Sequence, residues 1–257
     1  MNRELLHFLQ KLNVSWKAEV GGFVSEEKKM VIYLLETDRC YLPDLEKINS
    51  LAGQGVRVIT LWEDVWIRKK ELVQQKIMGE ILGRKVIFAR KCALGKIIKE
   101  EADSFFEATH ILGSARAKFR YGLFYKDQLV AAAVFSGGRK VEREGVFFRS
   151  FEWVRYASLP GIRVIGGMSK LLHAFVQEHH PDDVMSYADK EWSEGGAYQK
   201  LGFKRVGETP TQSYWLDPNT LQRYPRKRYP LPQPHWREVH GLGSWKFVKS
   251  CIFAKNL

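Results

Sequence analysis

Two apolar runs rich in aromatic and β-branched residues, Phe119–Tyr125 and Gln128–Phe135, are separated by two residues only, Lys126-Asp127. Runs of this length and composition read as strands, and so short a link between them reads as a tight hairpin, although it is not the Asn-Gly pair that such turns favour. The hairpin sets the frame for the downstream elements. Gly137-Gly138-Arg139-Lys140 makes a loop, Val146–Ala157 a further strand, and Leu159-Pro160-Gly161 a break. A helix from about Gly167 to His179 puts Leu171, Leu172, Phe175 and Val176 on one face. Val184–Ala188 then reads as a strand, Gly196–Leu201 as a short helix and Gln212–Leu216 as a last strand. With a helix at Asp103–His110 in front of it, the stretch 102–216 is expected to be an α/β domain with a mixed sheet.

Residues 1–92 give a second, smaller alternation. A short amphipathic helix carries Leu5, Leu6, Phe8, Leu9 and Leu12, and Met30–Leu35 is a compact apolar strand. Leu42–Leu51 follows as a helix with a Pro43-Asp44 start and Gly53 as its stop. Val56–Trp62 is a strand that ends at Glu63-Asp64, Ile67–Leu82 a long helix, and Val86–Lys91 a last strand or connection. The fold class is therefore α/β (α+β), with two α/β domains at 1–92 and 102–216. The tail, 217–257, holds Pro225, Pro230, Pro232 and Pro234 among basic residues and is expected to be an extended arm.

The formal charge is +12, and its placement matters more than its size. Acids and bases nearly balance over 101–216, whereas 217–257 carries eight Lys/Arg against two Asp/Glu. Basic ends suit polyanions, so nucleic acid is a possible partner; a merely basic protein surface is the plainer alternative. No apolar run reaches the length of a membrane span. Cys40, Cys92 and Cys251 are scattered, with no CxxC pair, so neither a zinc site nor a disulfide framework is expected. A cytoplasmic setting without membrane partners fits.

Chemistry concentrates at 148–206. Arg163-Val164-Ile165-Gly166-Gly167-Met168-Ser169-Lys170 joins a strand to a helix. Such a turn offers unpaired backbone N–H groups at the positive end of the helix dipole, where a pyrophosphate can bind. Arg163 and Lys170 would add charge, or would simply cap and solvate the helix. Downstream, Ala197-Tyr198-Gln199-Lys200-Leu201-Gly202-Phe203 follows a strand and ends a short helix on a glycine. Together these units resemble the GCN5-related acyl-CoA N-acyltransferase (GNAT) superfamily over about 102–216. The family's Arg/Gln-x-x-Gly-x-Gly/Ala pattern ends here in Met168. The resemblance implies an acyl-CoA cosubstrate, acetyl-CoA or another, and an amine acceptor. It also implies that backbone amides at Val164–Met168 hold the pyrophosphate and that Tyr198 is the general acid for the departing thiolate. Glu152, on the preceding strand, is the candidate base, with Asp189 as a second.

A second resemblance rests on Trp62-Glu63-Asp64-Val65-Trp66 and Phe88-Ala89-Arg90-Lys91-Cys92. These are similar to the end of the very-short-patch-repair-like endonuclease domain that some phage and mobile-element proteins join to a GNAT-like half. Metal-dependent cleavage needs converging carboxylates. Only Glu36 and Asp38 could share a strand face here, and no Glu-x-Lys follows at strand spacing. The expectation is a degenerate domain kept for packing or DNA contact, with no metal and with Glu63 and Asp64 as ordinary strand-end acids.

Overall fold

Met30–Leu35 is buried at five of its six positions, which is what a strand covered on both sides requires. The computed structural model describes residues 2–38 and 44–252 and pairs this strand in parallel with Arg57–Trp62. Leu42, Pro43 and Cys40 fall outside the described residues. In chain order the elements begin with α1 (Asn2–Gln10), β1 (Lys17–Glu19), β2 (Gly22–Ser25), β3 (Met30–Leu35), α2 (Leu45–Gly53) and β4 (Arg57–Trp62). Next come α3 (Glu63–Arg68), α4 (Lys70–Ile81), β5 (Lys85–Phe88), a 3-10 turn at Ala89–Lys91, β6 (Ala93–Lys96) and α5 (Lys99–Thr109). They continue with β7 (Phe119–Tyr125), β8 (Gln128–Phe135), β9 (Arg139–Arg143), β10 (Val146–Ser158), β11 (Ile162–Ile165) and α6 (Gly167–His179). The last are β12 (Asp183–Asp189), α7 (Gly196–Lys200), β13 (Lys204–Glu208), β14 (Gln212–Leu216), β15 (Arg223–Pro225), β16 (Arg237–Gly241) and β17 (Ser244–Ser250).

The chain divides into two compact units that do not follow its linear order. The first comprises Met1–Gln74, Ala188–Glu194 and Glu208–Trp245, and the second Gln75–Tyr187, Gly195–Gly207 and Lys246–Leu257. The tail is accordingly not an arm. It supplies β15 and β16 to a three-stranded sheet ordered β15-β14-β16, and β17 to the large sheet between β13 and β12. Its prolines lie in the bends and at strand ends, where a missing N–H costs nothing.

In the first unit, β1 to β4 form one sheet in sequence order. Asp44 starts α2 by accepting hydrogen bonds from the N–H groups of Glu46 (2.9 Å) and Lys47 (3.1 Å). Ile48 of α2 packs on Val58 of β4 and on Leu242, which belongs to the tail. The expected single helix over Ile67–Leu82 is two, since α3 ends at Arg68 and α4 begins at Lys70.

Glu63 and Asp64 begin α3 and are not ordinary strand-end acids. Glu63 accepts hydrogen bonds from the backbone N–H (3.1 Å) and hydroxyl (3.0 Å) of Thr37. Asp64 is 2% exposed, and Arg223 grips both of its oxygens, Nε to Oδ2 at 2.6 Å and Nη2 to Oδ1 at 2.7 Å. Buried Glu191 also feels the Arg223 charge. Its carboxyl group accepts from Trp62 Nε1 at 2.9 Å and from the Leu242 N–H at 3.3 Å. Burial, reinforced by Asp189 and opposed by Arg223, pushes its acid up to about 8. At neutral pH Glu191 is therefore predominantly protonated, while Asp64 and Arg223 form the ion pair.

In the second unit the sheet runs β13-β17-β12-β10-β8-β7-β6, with β9 added along the first part of β10. Lys126 (φ 49) and Asp127 (φ 60) both sit in the left-handed region, as a two-residue link matched to the strand twist demands. The same turn recurs at Glu144 (φ 51) and Gly145 (φ 76), so Arg139-Lys140 is strand rather than loop. Helix α5 covers one face through Phe105 and Phe106, which pack with Ala132, Val134 and Ala157. Phe175 of α6 covers the other, stacked on Phe135 with ring centres 3.9 Å apart.

Asp64→Asn leaves the Arg223 guanidinium buried without its counter-charge and should cost roughly 3–5 kcal/mol in denaturant unfolding, whereas the Asp64→Leu, Arg223→Met double variant should lose much less. A cost for the single variant no larger than for the double would contradict the pair's role. The raised acid of Glu191 means that the folded state binds a proton the unfolded state releases between pH 4.5 and about 8. Its contribution is full below that window and is lost as pH rises through it. Melting temperature should therefore fall from pH 5 to pH 8.5, and Glu191→Gln should flatten that part of the curve.

Candidate functional site

Strand β10 is thirteen residues long and pairs with three neighbours, β9 and β8 along one edge and β12 along the other. Val146–Ser150 pairs with β9, and Ser150–Trp153 pairs in parallel with Asp183–Ser186 of β12. From Arg155 to Ser158 it pairs with β8, after a register shift between Trp153 and Arg155. On the other edge, the ladder between β10 and β12 stops at Trp153 opposite Ser186, and beyond that point the two strands are no longer paired. Such a bulge re-aims the strand and leaves backbone groups without ladder partners.

Side chains take up what the bulge releases. The Ser186 hydroxyl donates to the Trp153 carbonyl at 2.9 Å and accepts from the Tyr198 hydroxyl at 2.8 Å. The Ser136 hydroxyl accepts from the Glu152 N–H at 2.9 Å, and Trp153 Nε1 donates to the Arg155 carbonyl at 3.0 Å. Ser186, Ser136 and Arg155 belong to no motif and carry no periodic signal, so nothing in the sequence marks them.

Tyr198 is placed by two glycines. Gly195 (φ 80) opens α7, and a Cβ there would come within 2.2 Å of the Phe247 ring. Gly202 (φ 81) turns the chain so that Phe203 packs edge-on to Tyr198, ring centres 5.5 Å apart. Phe247 stacks on the other side at 5.4 Å. The Tyr-x-x-x-Gly-Phe spacing is thus the spacing of a clamped phenol. Burial pushes that phenol above its usual range, so it stays protonated at neutral pH.

Rings then lead away from Tyr198 along β10. Trp153 lies edge-on to it at 6.1 Å, and Tyr156 edge-on to Trp153 at 6.1 Å. Tyr156 ends at α6, where a Cβ on Gly167 would meet its hydroxyl at 3.0 Å. Burial drives the Tyr156 phenol up to about 12. Tyr156 is a site residue with no sequence signal beyond its place in an apolar strand. The parting of β10 from β12 is therefore flanked by the Tyr198 hydroxyl at one end and by the first turn of α6 at the other.

The segment Arg163–Lys170 is only partly loop. Arg163, Val164 and Ile165 lie in β11 and pair in parallel with Val86–Phe88 of β5, so their backbones serve a ladder. Gly166 (φ 77) is the N-terminal boundary of α6, and Lys170 is the first residue to close a helical bond, to the Gly166 carbonyl at 2.9 Å. The N–H groups that precede the helical ladder are those of Gly167, Met168 and Ser169. Lys170 does not extend over this turn; its Nζ donates to the carbonyls of Ala89 (3.0 Å) and Cys92 (2.6 Å). The cause is plain, since the 3-10 turn at Ala89–Lys91 leaves carbonyls that need a donor. Arg163 and Ser169 are exposed.

Glu152 is opposite Met185 and on the other face of β10 from Trp153, whose neighbour Val154 packs against the α5 cluster. Its carboxylate pairs with Arg139 at 3.4 Å. Tyr187 shares this side: burial raises its phenol first, and the negative charge of Glu152 raises it further. Acid and base candidates thus address the parting strands from opposite faces. Asp189, at the end of β12, accepts from the Glu191 N–H at 2.9 Å and belongs to the first unit. Among the described residues, no group of three or more His, Cys, Asp or Glu is arranged to hold a metal ion, and no helix is long and apolar enough to cross a membrane.

No protein-family model and no curated protein matches the chain. Among solved structures, it is similar to Eis1 from Mycobacterium abscessus at 15% identity and a TM-score of 0.38, over 48% of this chain and 33% of that one. It is also similar to the ribosomal-protein-S18-alanine N-acetyltransferase from Escherichia coli at 12% identity and a TM-score of 0.39, over 62% and 93%. A GNAT family acetyltransferase from Elizabethkingia anophelis with acetyl-CoA bound matches at 11% and 0.38, over 62% and 98%. The match spans about a third of the length of Eis1.

The hydroxyl chain makes a measurable unit. Ser186→Ala and Tyr198→Phe should each destabilise the protein by about 1 kcal/mol, and the double variant by less than their sum, because both remove one shared hydrogen bond. Strict additivity in urea unfolding would show that the two hydroxyls are not coupled.

Proposed function

We propose that the second unit is an acyl-CoA-dependent N-acyltransferase, which binds acetyl-CoA or another acyl-CoA in the parting of β10 and β12 and passes the acyl group to an amine. What supports this reading most is that parting, with a protonated tyrosine at one end and a helix N-terminus at the other. It is joined by the motifs at Arg163–Met168 and Tyr198–Phe203, through which residues 102–216 resemble the GNAT superfamily.

The division of labour follows from charge. The N–H groups of Gly167, Met168 and Ser169 face the negative pyrophosphate, helped by the helix dipole. Gly166 and Gly167 allow close backbone approach. Arg163, exposed nearby in sequence, adds positive charge, while Lys170 holds the 3-10 turn beneath. The β10 edge beyond Trp153 offers peptide groups to the extended arm of the cosubstrate. In the reaction the amine nitrogen attacks the thioester carbonyl and the carbon–sulfur bond breaks. The sulfur takes the proton of the Tyr198 hydroxyl. Glu152 accepts the proton released by the nitrogen. The Tyr198 phenolate regains a proton from solvent once the thiol product has left.

Calorimetric titration with acetyl-CoA tests the binding half of this reading, and one variant separates charge from folding. Ser169→Asp puts a carboxylate into the first turn of α6, where it favours the helix but repels a pyrophosphate. Affinity for acetyl-CoA should fall at least tenfold with no drop in melting temperature. Tyr198→Phe should bind acetyl-CoA normally and slow transfer to an accepted amine by about 10²–10⁴-fold, the usual worth of a positioned acid. Absence of any acetyl-CoA binding by the wild-type chain would overturn the proposal.

A further inference from the structure

The three-stranded sheet of the first unit has two unlike faces, and register settles which residues share each. Leu216 lies opposite Arg223, and Tyr214 opposite Val239. This side is the core side: Leu216 and Val239 are 1% and 4% exposed, and Arg223 is pinned to Asp64. On the other side Trp215 lies opposite both Tyr224 and Glu238, and Ser213 opposite His240. Trp236 and Arg226, each two residues along its strand direction, complete that side.

The outward face of an antiparallel sheet is ordinarily polar. Here it carries a continuous group of rings. Tyr224 stacks on Trp236 with centres 4.4 Å apart and planes within 7°. Tyr229, 37% exposed, lies edge-on to Tyr224 at 5.3 Å, and its carbonyl accepts from Trp215 Nε1 at 2.9 Å. Trp215, Tyr224 and Trp236 are each half-buried. Cations are interleaved with them. The Arg226 guanidinium lies over the Trp215 ring at 4.8 Å, and that of Arg228 near the Tyr229 ring at 5.9 Å. Lys227 is exposed beside them. Glu238 is the acid on this face, and Arg226 pairs with it.

We infer that this face binds single-stranded nucleic acid, with bases stacking on Trp215, Tyr224, Trp236 and Tyr229 and phosphates meeting the Arg226-Lys227-Arg228 run. Flat rings on a rigid sheet accept any base by its π face, and flanking cations follow the backbone. A duplex hides its base faces in its own stack, so it could use the cations only. An acidic peptide likewise would use the cations and leave the rings without partners. This inference is independent of the acyltransferase reading and locates the basic-end partner on a defined surface.

Fluorescence anisotropy of a labelled twelve-nucleotide dT oligonucleotide, titrated with the full chain, tests it. The oligonucleotide should bind at least tenfold more tightly than a duplex of the same length or a poly-glutamate peptide of equal charge. Trp215→Ala should weaken binding at least fivefold, in line with the loss of one stacked base. The triple variant Arg226→Gln, Lys227→Gln, Arg228→Gln changes exposed residues at the sheet edge and guards against a folding failure of the tryptophan variant. It should weaken binding and flatten the dependence on salt by roughly one unit of slope for each phosphate no longer neutralised. Three results would each overturn the inference: no preference over duplex or poly-glutamate, unchanged affinity in folded Trp215→Ala, or unchanged affinity in the triple variant.

Discussion

The thirteen-residue strand Val146–Ser158 has two unequally filled edges, and the second unit is organised around the unfilled one. Along one edge it pairs first with β9 and then with β8, while along the other it pairs with β12 only from Ser150 to Trp153. Everything proposed for the second unit depends on that departure. It creates the edge along which an extended ligand can lie. It also frees the Trp153 carbonyl that Ser186, and through it Tyr198, is built around. The clamp of Phe247, Phe203 and Trp153 on the Tyr198 ring then holds the hydroxyl at the mouth of the gap rather than in solvent.

The first unit is organised by a different constraint, a buried carboxylate that needs a counter-charge. Arg223, itself mostly withdrawn from water, pairs with Asp64, and its guanidinium also lies over the Trp62 ring at 4.9 Å. Arg223 is the first residue of β15, so this pair ties the edge strand of the tail's sheet to α3. One face of that sheet is given to the ion pair and to Tyr214, Leu216 and Val239, and Trp215, Tyr224 and Trp236 lie on the other. A buried salt bridge is a poor source of net stability, but it is an effective way to specify one register.

Much of the second unit is legible in the sequence because its signals are local. The two-residue link at Lys126-Asp127, the apolar strands on either side of it, the helix starting at Gly167 and the Tyr198–Phe203 unit all lie where pattern alone puts them. Strand β9 is not legible, because Arg139–Arg143 is exposed along most of its length and so shows no alternation. The tail strands are hidden by Pro225 and by basic composition, and their partners are distant in sequence. Nor does any local pattern predict that Asp64 meets Arg223, 159 residues away. Lys170 illustrates the limit at the site itself: its position in the motif is visible, whereas the carbonyls of Ala89 and Cys92 that claim it belong to another part of the chain.

Sequence and structure thus meet at the same place, the β10 edge between Tyr198 and the first turn of α6. Hydrogen–deuterium exchange of the full chain with and without saturating acetyl-CoA probes that place most directly. Slowed exchange at Trp153–Ala157 together with Gly167–Ser169, and none at Met30–Leu35, is the result this account predicts. Unchanged exchange at both β10 and the α6 N-terminus under saturating ligand would contradict it.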